Sequence, residues 1–154
     1  MKIRKAIIPV AGFGTRMLPA SRSVPKSILP VFDTPAVHYV VKEAADAGIE
    51  HAIFIVSPGQ EAITEYFKNS PELERALEQR ADSANLSKMY SIRNMINTSE
   101  IVQREQLGLG AAILTAKKTI GDEPFAVLLP DDIILNPQPT IGQMIDLFRN
   151  NGDT

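Results

Sequence analysis

The chain has 154 residues, 44% of them hydrophobic, a formal net charge of −2, no cysteine and two histidines. That supports one core of ordinary domain size and excludes disulfides, thiolate metal sites and the basic footprint of a nucleic-acid binder, so an anionic partner is a small molecule. No apolar run approaches membrane-spanning length, and Met1 to Lys5 leads into a short strand rather than a secretory signal, so no membrane partner is expected and the cytoplasm is the expected location.

Ala6-Ile7-Ile8-Pro9-Val10 reads as a buried strand that breaks into Ala11-Gly12-Phe13-Gly14-Thr15-Arg16. Glycines separated by one residue let a backbone turn sharply and come close to a ligand. From Ala11 to Phe32 there is no Asp or Glu, while Arg16, Arg22 and Lys26 fall inside. A phosphate-rich ligand is the simplest partner for such a cationic loop. Neither common nucleotide fingerprint is complete: residue 17 is Met where a dinucleotide site has its third glycine, and no Gly-Lys-Ser/Thr occurs. A tight turn with no ligand therefore stays open on spacing alone. Pro19, Pro25 and Pro30 oppose a regular helix, and long irregular loops in compact domains are usually functional or disordered. Apolar Ile28, Leu29, Val31 and Phe32 argue against disorder.

Pro35 to Gly48 reads as a helix, opened by Asp33-Thr34 as cap, left at Gly48, and apolar through Val37, Val40, Val41 and Ala44. His51 to Ser57 is a second continuous apolar strand, and strand, helix, strand implies a right-handed crossover and a parallel sheet. Pro58-Gly59 ends it, and Gln60 to Phe67 starts a helix. Residues 71–95 carry a helical pattern through Leu73, Ala76, Leu77, Leu86, Met89 and Ile92, with Glu72 to Asp82 a solvated face. Met89 and Met95 read as core filling rather than a partner surface.

Glu100 to Glu105 is a short strand candidate leading into a second glycine turn, Gly108-Leu109-Gly110, with a helix from Leu109 to Lys118. If its strand is parallel to the first, both turns share the sheet edge at which ligands bind. Glycine for close helix–strand packing is the competing explanation. Pro124 to Pro130 is the clearest buried strand after the first and ends in Asp131-Asp132. A carboxylate there faces the ligand crevice and could hold Mg²⁺ against phosphates; adjacent side chains diverge, which favours one ligand over two, and a plain turn cap is the alternative. Pro139 to Asn150 reads as an amphipathic helix through Ile141, Met144, Ile145 and Phe148, ending near Gly152. His38 and His51 have no triad partners and read as structural.

Gly12 to Pro19 together with Pro25-Lys26-Ser27-Ile28-Leu29-Pro30 resembles the signature of sugar-1-phosphate nucleotidyltransferases, most closely the bacterial UTP–glucose-1-phosphate uridylyltransferase type. The resemblance covers about Arg4 to Asn150. It implies an α/β fold, a Rossmann-like, mainly parallel sheet with helices on both faces, of the nucleotide-diphospho-sugar transferase type. It also implies that residues 1–154 form a single nucleotide-binding domain lacking the C-terminal part that family chains carry, with its sugar contacts, a further lysine and a second metal carboxylate. The expected substrates are UTP and a sugar 1-phosphate, and the cofactor is Mg²⁺. The implied roles are nucleotide binding for Ala11, Gly12, Gly14 and Thr15, stabilisation of departing pyrophosphate for Arg16, and phosphate holding for Lys26. Gln103 would pair with the uracil edge beside Gly108, and Asp131 would be the metal ligand with Asp132 in support. Gln106 and Ala111 depart from the pattern, standing where Pro and His are common. A relative using another nucleotide or sugar and a non-catalytic nucleotide-binding paralogue fit the same residues. An incomplete sheet would expose an edge and favour a homo-oligomer.

Overall fold

The computed structural model describes residues 2–151, so the expected helix exit near Gly152 lies outside the described residues. In chain order the elements are β1 (Lys5–Pro9), β2 (Pro30–Val31), β3 (Thr34–Pro35), α1 (Ala36–Asp46), β4 (His51–Val56), α2 (Ala62–Glu65), α3 (Pro71–Gln79), α4 (Ser83–Arg93), β5 (Asn97–Val102), α5 (Leu109–Thr115), α6 (Lys117–Ile120), β6 (Phe125–Val127) and α7 (Thr140–Asn151). Four strands form one sheet in the order β5-β4-β1-β6, and every pairing in it is parallel. Ile7 lies between Ile53 on β4 and Val127 on β6.

Alternate side chains of a strand face opposite ways, and β1 uses both faces. Ala6 and Ile8 join Val37, Val40, Val41 and Ala44 of α1, Ile63 of α2, and Ile141 and Ile145 of α7 in one core layer. Ile7 faces the other side with Ile53, Ile55, Ala112 of α5, and Ala116 and Ile120 at α6. Helices therefore cover both faces, as expected. Ile7, Ile8, Ile53, Phe54 and Ile55 are completely buried, each side chain contributing about 1.5–3 kcal/mol of transfer free energy. The Glu43 side chain of α1 accepts the Ile141 N–H at 3.0 Å, fixing the start of α7 on α1.

The structure corrects several expectations. Asp33 and Thr34 do not cap α1: they sit at the turn of the β2–β3 hairpin, where the Thr34 hydroxyl donates to Asp33. No side chain caps α1, whose Ala36 N–H donates to the Leu29 carbonyl at 3.1 Å. Strand β5 begins at Asn97, three residues earlier than its apolar residues suggest, because it lies at the sheet edge and tolerates Asn97, Thr98 and Ser99. The expected buried strand at 124–130 is β6, three residues long and also at an edge, with Phe125 and Val127 partly exposed. Its ladder runs one residue further through Leu128 N–H to the Ile7 carbonyl. The expected helix at 109–118 is broken at Ala116 into α5 and α6. Leu73 and Met144 are exposed rather than part of buried faces.

Candidate functional site

All four parallel strands deliver their following loops to one edge, which brings residues 11–34, 103–110 and 130–133 together. Val10 still donates to Ile55 O at 2.9 Å, and the glycine turn starts immediately after it. Gly14 has φ +63°, and a Cβ there would lie 3.0 Å from Lys26 Cβ and 3.1 Å from Ser21 Cβ. The loop thus folds back so that Lys26 rests on the turn, fixed by the Ser21 hydroxyl donating to Gly14 O at 2.7 Å. Between them run three short 3₁₀ turns, Thr15–Met17, Ala20–Arg22 and Lys26–Ile28. The absence of a third glycine follows: that glycine serves close packing of a helix on the strand, and a 3₁₀ turn with no buried residue stands here instead.

This fold-back encloses a cavity of about 610 Å³ whose lining includes Gly12, Gly14, Thr15, Arg16, Lys26 and Asp131. Lys26 Nζ donates to Asp131 Oδ2 at 2.6 Å across 105 residues of sequence. The Lys26 hydrogen bond, aided by the charges of Lys26 and Arg16, holds the Asp131 carboxyl below its ordinary range against the opposing effect of burial. Asp132 is not part of the lining; its N–H closes a turn onto Leu129 O at 3.2 Å. Among the described residues no cluster of three or more His, Asp or Glu is placed to hold a metal. One carboxylate beside a cleft that carries Arg16 and Lys26 nevertheless fits Mg²⁺, which binds through one or two carboxylates and completes its shell with phosphate oxygens and water.

A second cavity of about 280 Å³ adjoins the first through Gly12 and is lined by Ala11, Gln103, Gln106 and Gly108 among others. Gln103 follows β5 directly and its N–H donates to Val56 O at 2.8 Å. The residue is only 6% exposed. Among the described residues its side-chain amide has no hydrogen-bond partner, and as a lining group it is open to the cavity, where a ligand with complementary edges can pair with it. At the second turn, Gly108 has φ +93° while Cβ atoms at Gly108 and Gly110 would meet nothing within 4 Å. Close packing is therefore not why these glycines are here.

Ala11, Gly12, Gly14, Thr15, Arg16, Lys26, Gln103, Gly108 and Asp131 all lie on one or other of these two adjoining cavities, and Asp132 does not. Three polar residues to which the sequence assigned no role hold the first turn from the side of the second: Ser57, Gln60 and Gln106, the last of which also lines the second cavity. Ser57 Oγ donates to Ala11 O at 2.8 Å, Gln106 Nε2 donates to Ala11 O at 2.6 Å and to Ser57 Oγ at 3.0 Å, and Gln60 Nε2 donates to Gly12 O at 3.3 Å. His38 pairs with the Tyr66 hydroxyl at 3.0 Å and His51 with the Ser99 hydroxyl at 2.8 Å, both outside the cavities.

A family model described as nucleotidyl transferase matches residues 5–154. A UTP–glucose-1-phosphate uridylyltransferase of Staphylococcus epidermidis is 46% identical over 151 residues, covering 98% of this chain and 52% of the relative. A UTP-bound UGPase from Acinetobacter baumannii superposes with a TM-score of 0.93 at 41% identity, covering 96% of this chain and 53% of that one. A UDP-glucose pyrophosphorylase solved with UDP-glucose gives 0.80 at 36% identity, over 97% and 54%. The chain spans about half the length of the curated relatives it matches.

Proposed function

The chain belongs to the nucleotidyl transferase family, and we propose on that premise that it is the nucleotide-binding half of an enzyme making UDP-glucose and pyrophosphate from UTP and glucose 1-phosphate. The observation that carries this is the joining of a cationic cavity holding Arg16, Lys26 and Asp131 to one holding the unpaired amide of Gln103, with Gly12 on both. A nucleotide needs such a pair of subsites, one for charge and one for a base edge. The names of the relatives described above, UTP–glucose-1-phosphate uridylyltransferase, UGPase and UDP-glucose pyrophosphorylase, support uracil and glucose as the specific partners.

In the proposed reaction an oxygen of the sugar phosphate attacks the α-phosphorus of UTP and pyrophosphate leaves, so no covalent enzyme intermediate is needed. The barrier falls mainly by alignment and by fixed positive charge where negative charge develops. Gln103 offers one amide N–H and one carbonyl to the uracil edge. The backbone N–H groups of Gly12, Phe13 and Gly14, which have no acceptor among the described residues, offer a concave donor set to phosphate oxygens. Arg16 is the cation for the departing pyrophosphate, and Lys26 moves from Asp131 to the phosphates. Asp131 would hold Mg²⁺, which when bound supplies Lewis-acid neutralisation of the triphosphate. The cytoplasm is the proposed compartment. Exposed Phe125 and Val127 on the β6 edge support self-association; a stable monomer in light scattering would count against it.

Calorimetric titration of UTP with magnesium, against dTTP and ATP, tests the nucleotide half, and metal-dependent preference for UTP is expected. Pyrophosphate release from UTP and glucose 1-phosphate by the full-length protein tests the reaction. No release with any nucleotide and sugar phosphate overturns it.

A further inference from the structure

Ala11 O receives two donors at once, Ser57 Oγ at 2.8 Å and Gln106 Nε2 at 2.6 Å, while Gln106 also donates to Ser57 at 3.0 Å. The three groups form a closed triangle joining the ends of β1, β4 and β5. It is reinforced from the β4 side, where Gln60 accepts the Ser57 N–H at 3.1 Å and donates to Gly12 O at 3.3 Å. So much polar capacity aimed at two consecutive carbonyls of an exposed turn has a geometric consequence. In a trans peptide the C=O and the following N–H point in opposite directions, and the only cis peptide among the described residues is Leu18-Pro19. With the Ala11 carbonyl held toward Ser57 and Gln106, the Gly12 N–H points away from both. With the Gly12 carbonyl held toward Gln60, the Phe13 N–H points away from Gln60.

We infer that Gln106 is a positioning residue for the first glycine turn: it clamps the Ala11 carbonyl and so aims the Gly12 N–H at an oxyanion of the nucleotide. Ser57 is the second arm of the clamp and Gln60 extends it by one peptide. The inference rests on the nucleotide-binding reading above, and it adds that the second turn controls the donor geometry of the first. Glycine at 12 leaves the peptide free to rotate, so an external clamp is required. Gln106 is exposed and outside the core, so its replacement spares the fold.

The test compares UTP, uridine and inorganic triphosphate binding in the full-length protein and its Gln106→Met variant, which keeps side-chain bulk and removes the amide. Loss of one clamping hydrogen bond is expected to weaken UTP and triphosphate by about 3- to 10-fold, the range of a net hydrogen bond. Uridine affinity stays within about twofold, since it presents no oxyanion. Ser57→Ala should weaken UTP similarly, and the double variant should cost less than the product of the two, because both arms serve one carbonyl. Equal UTP affinity in the wild type and Gln106→Met overturns the clamp. Equal loss for uridine and UTP also overturns it, making Gln106 a direct base contact. Wild-type protein that binds neither UTP nor triphosphate instead removes the nucleotide reading beneath the inference.

Discussion

The two glycine turns share a Gly-x-Gly spacing and a sheet edge, yet they need their glycines for different reasons. At the first, Gly14 is both left-handed and crowded, with Lys26 and Ser21 at the positions a Cβ would press on. At the second, Gly108 stands in open space at φ +93° and ψ 178°, an extended conformation almost confined to glycine, and Gly110 has neither constraint. The first turn is therefore a packed knot that places a cation, whereas the second is an open hinge into α5. Sequence spacing alone hides this, because a glycine records that a side chain is absent and not what would have met it.

The largest effect that would sharpen the contrast is Gly14→Ala. Left-handed strain together with overpacking costs about 3 kcal/mol, and because the crowding falls on Lys26 the loss should appear as roughly 100-fold weaker UTP binding. Gly108→Ala carries only the backbone penalty of about 1–3 kcal/mol, read as a lower melting temperature and a weaker uridine site. Wild-type binding in Gly14→Ala would break the comparison. Gly110→Ala should instead stabilise the protein by about 0.5–1 kcal/mol, the helix-propensity difference; a destabilisation in denaturant unfolding would restore the packing explanation that the open space argues against.

Asp131→Asn probes the cation that the first turn places. The Asp131 side chain is half exposed although Lys26 is mostly covered, so unfolding free energy should change by only about 1 kcal/mol, while the magnesium dependence of UTP affinity is lost. An acid titration gives the smallest signal and separates the turns from their frame. Burial, with a lesser contribution from Lys42 for His38 and from Lys5 for His51, holds both histidines below their ordinary value of 6.5. The unfolded chain then binds more protons below pH 6.5, so stability is full above that pH and declines as pH falls through the folded values. Asp131, also depressed, keeps its carboxylate until below its ordinary 3.8. Between these limits the frame weakens while the Lys26–Asp131 pair persists; His51→Gln should flatten that decline in chemical denaturation at pH 5 relative to pH 7.

The frame was legible where burial alone decides. Strands β1 and β4 are continuous apolar runs because both lie inside the sheet with helices on each side, and α1 shows its buried face at helical spacing. Edges were not: β5 begins in Asn97-Thr98-Ser99, and β6 looks like a central strand although one side is open. The β2–β3 hairpin was hidden because two residues per strand leave no periodicity, and Asp33-Thr34 is as good a helix cap as a turn. At the site, Gly12, Gly14, Arg16, Lys26, Gln103 and Asp131 were readable as types in an order. The clamp was not, since Gln106 and Ala11 are 95 residues apart and a glutamine carries no signal of which carbonyl it serves. One clue existed: polar Ser57 and Gln106 follow shortly after strands that parallel topology brings to the edge where Ala11 emerges.

The Lys26–Asp131 contact makes the cleft an ion exchanger. A free divalent cation meets a carboxylate whose counterion is tethered to the same loop, and a bare triphosphate meets an ammonium already engaged. Each alone must break the 2.6 Å contact and strand one of its members. On the reading proposed above, a nucleotide that arrives with its metal would replace both halves in one swap, the cation taking Asp131 as the phosphates take Lys26, so that neither member of the pair is stranded. A preference for the metal-loaded nucleotide over either component would then follow from the pairing itself, set before any base or sugar has been read.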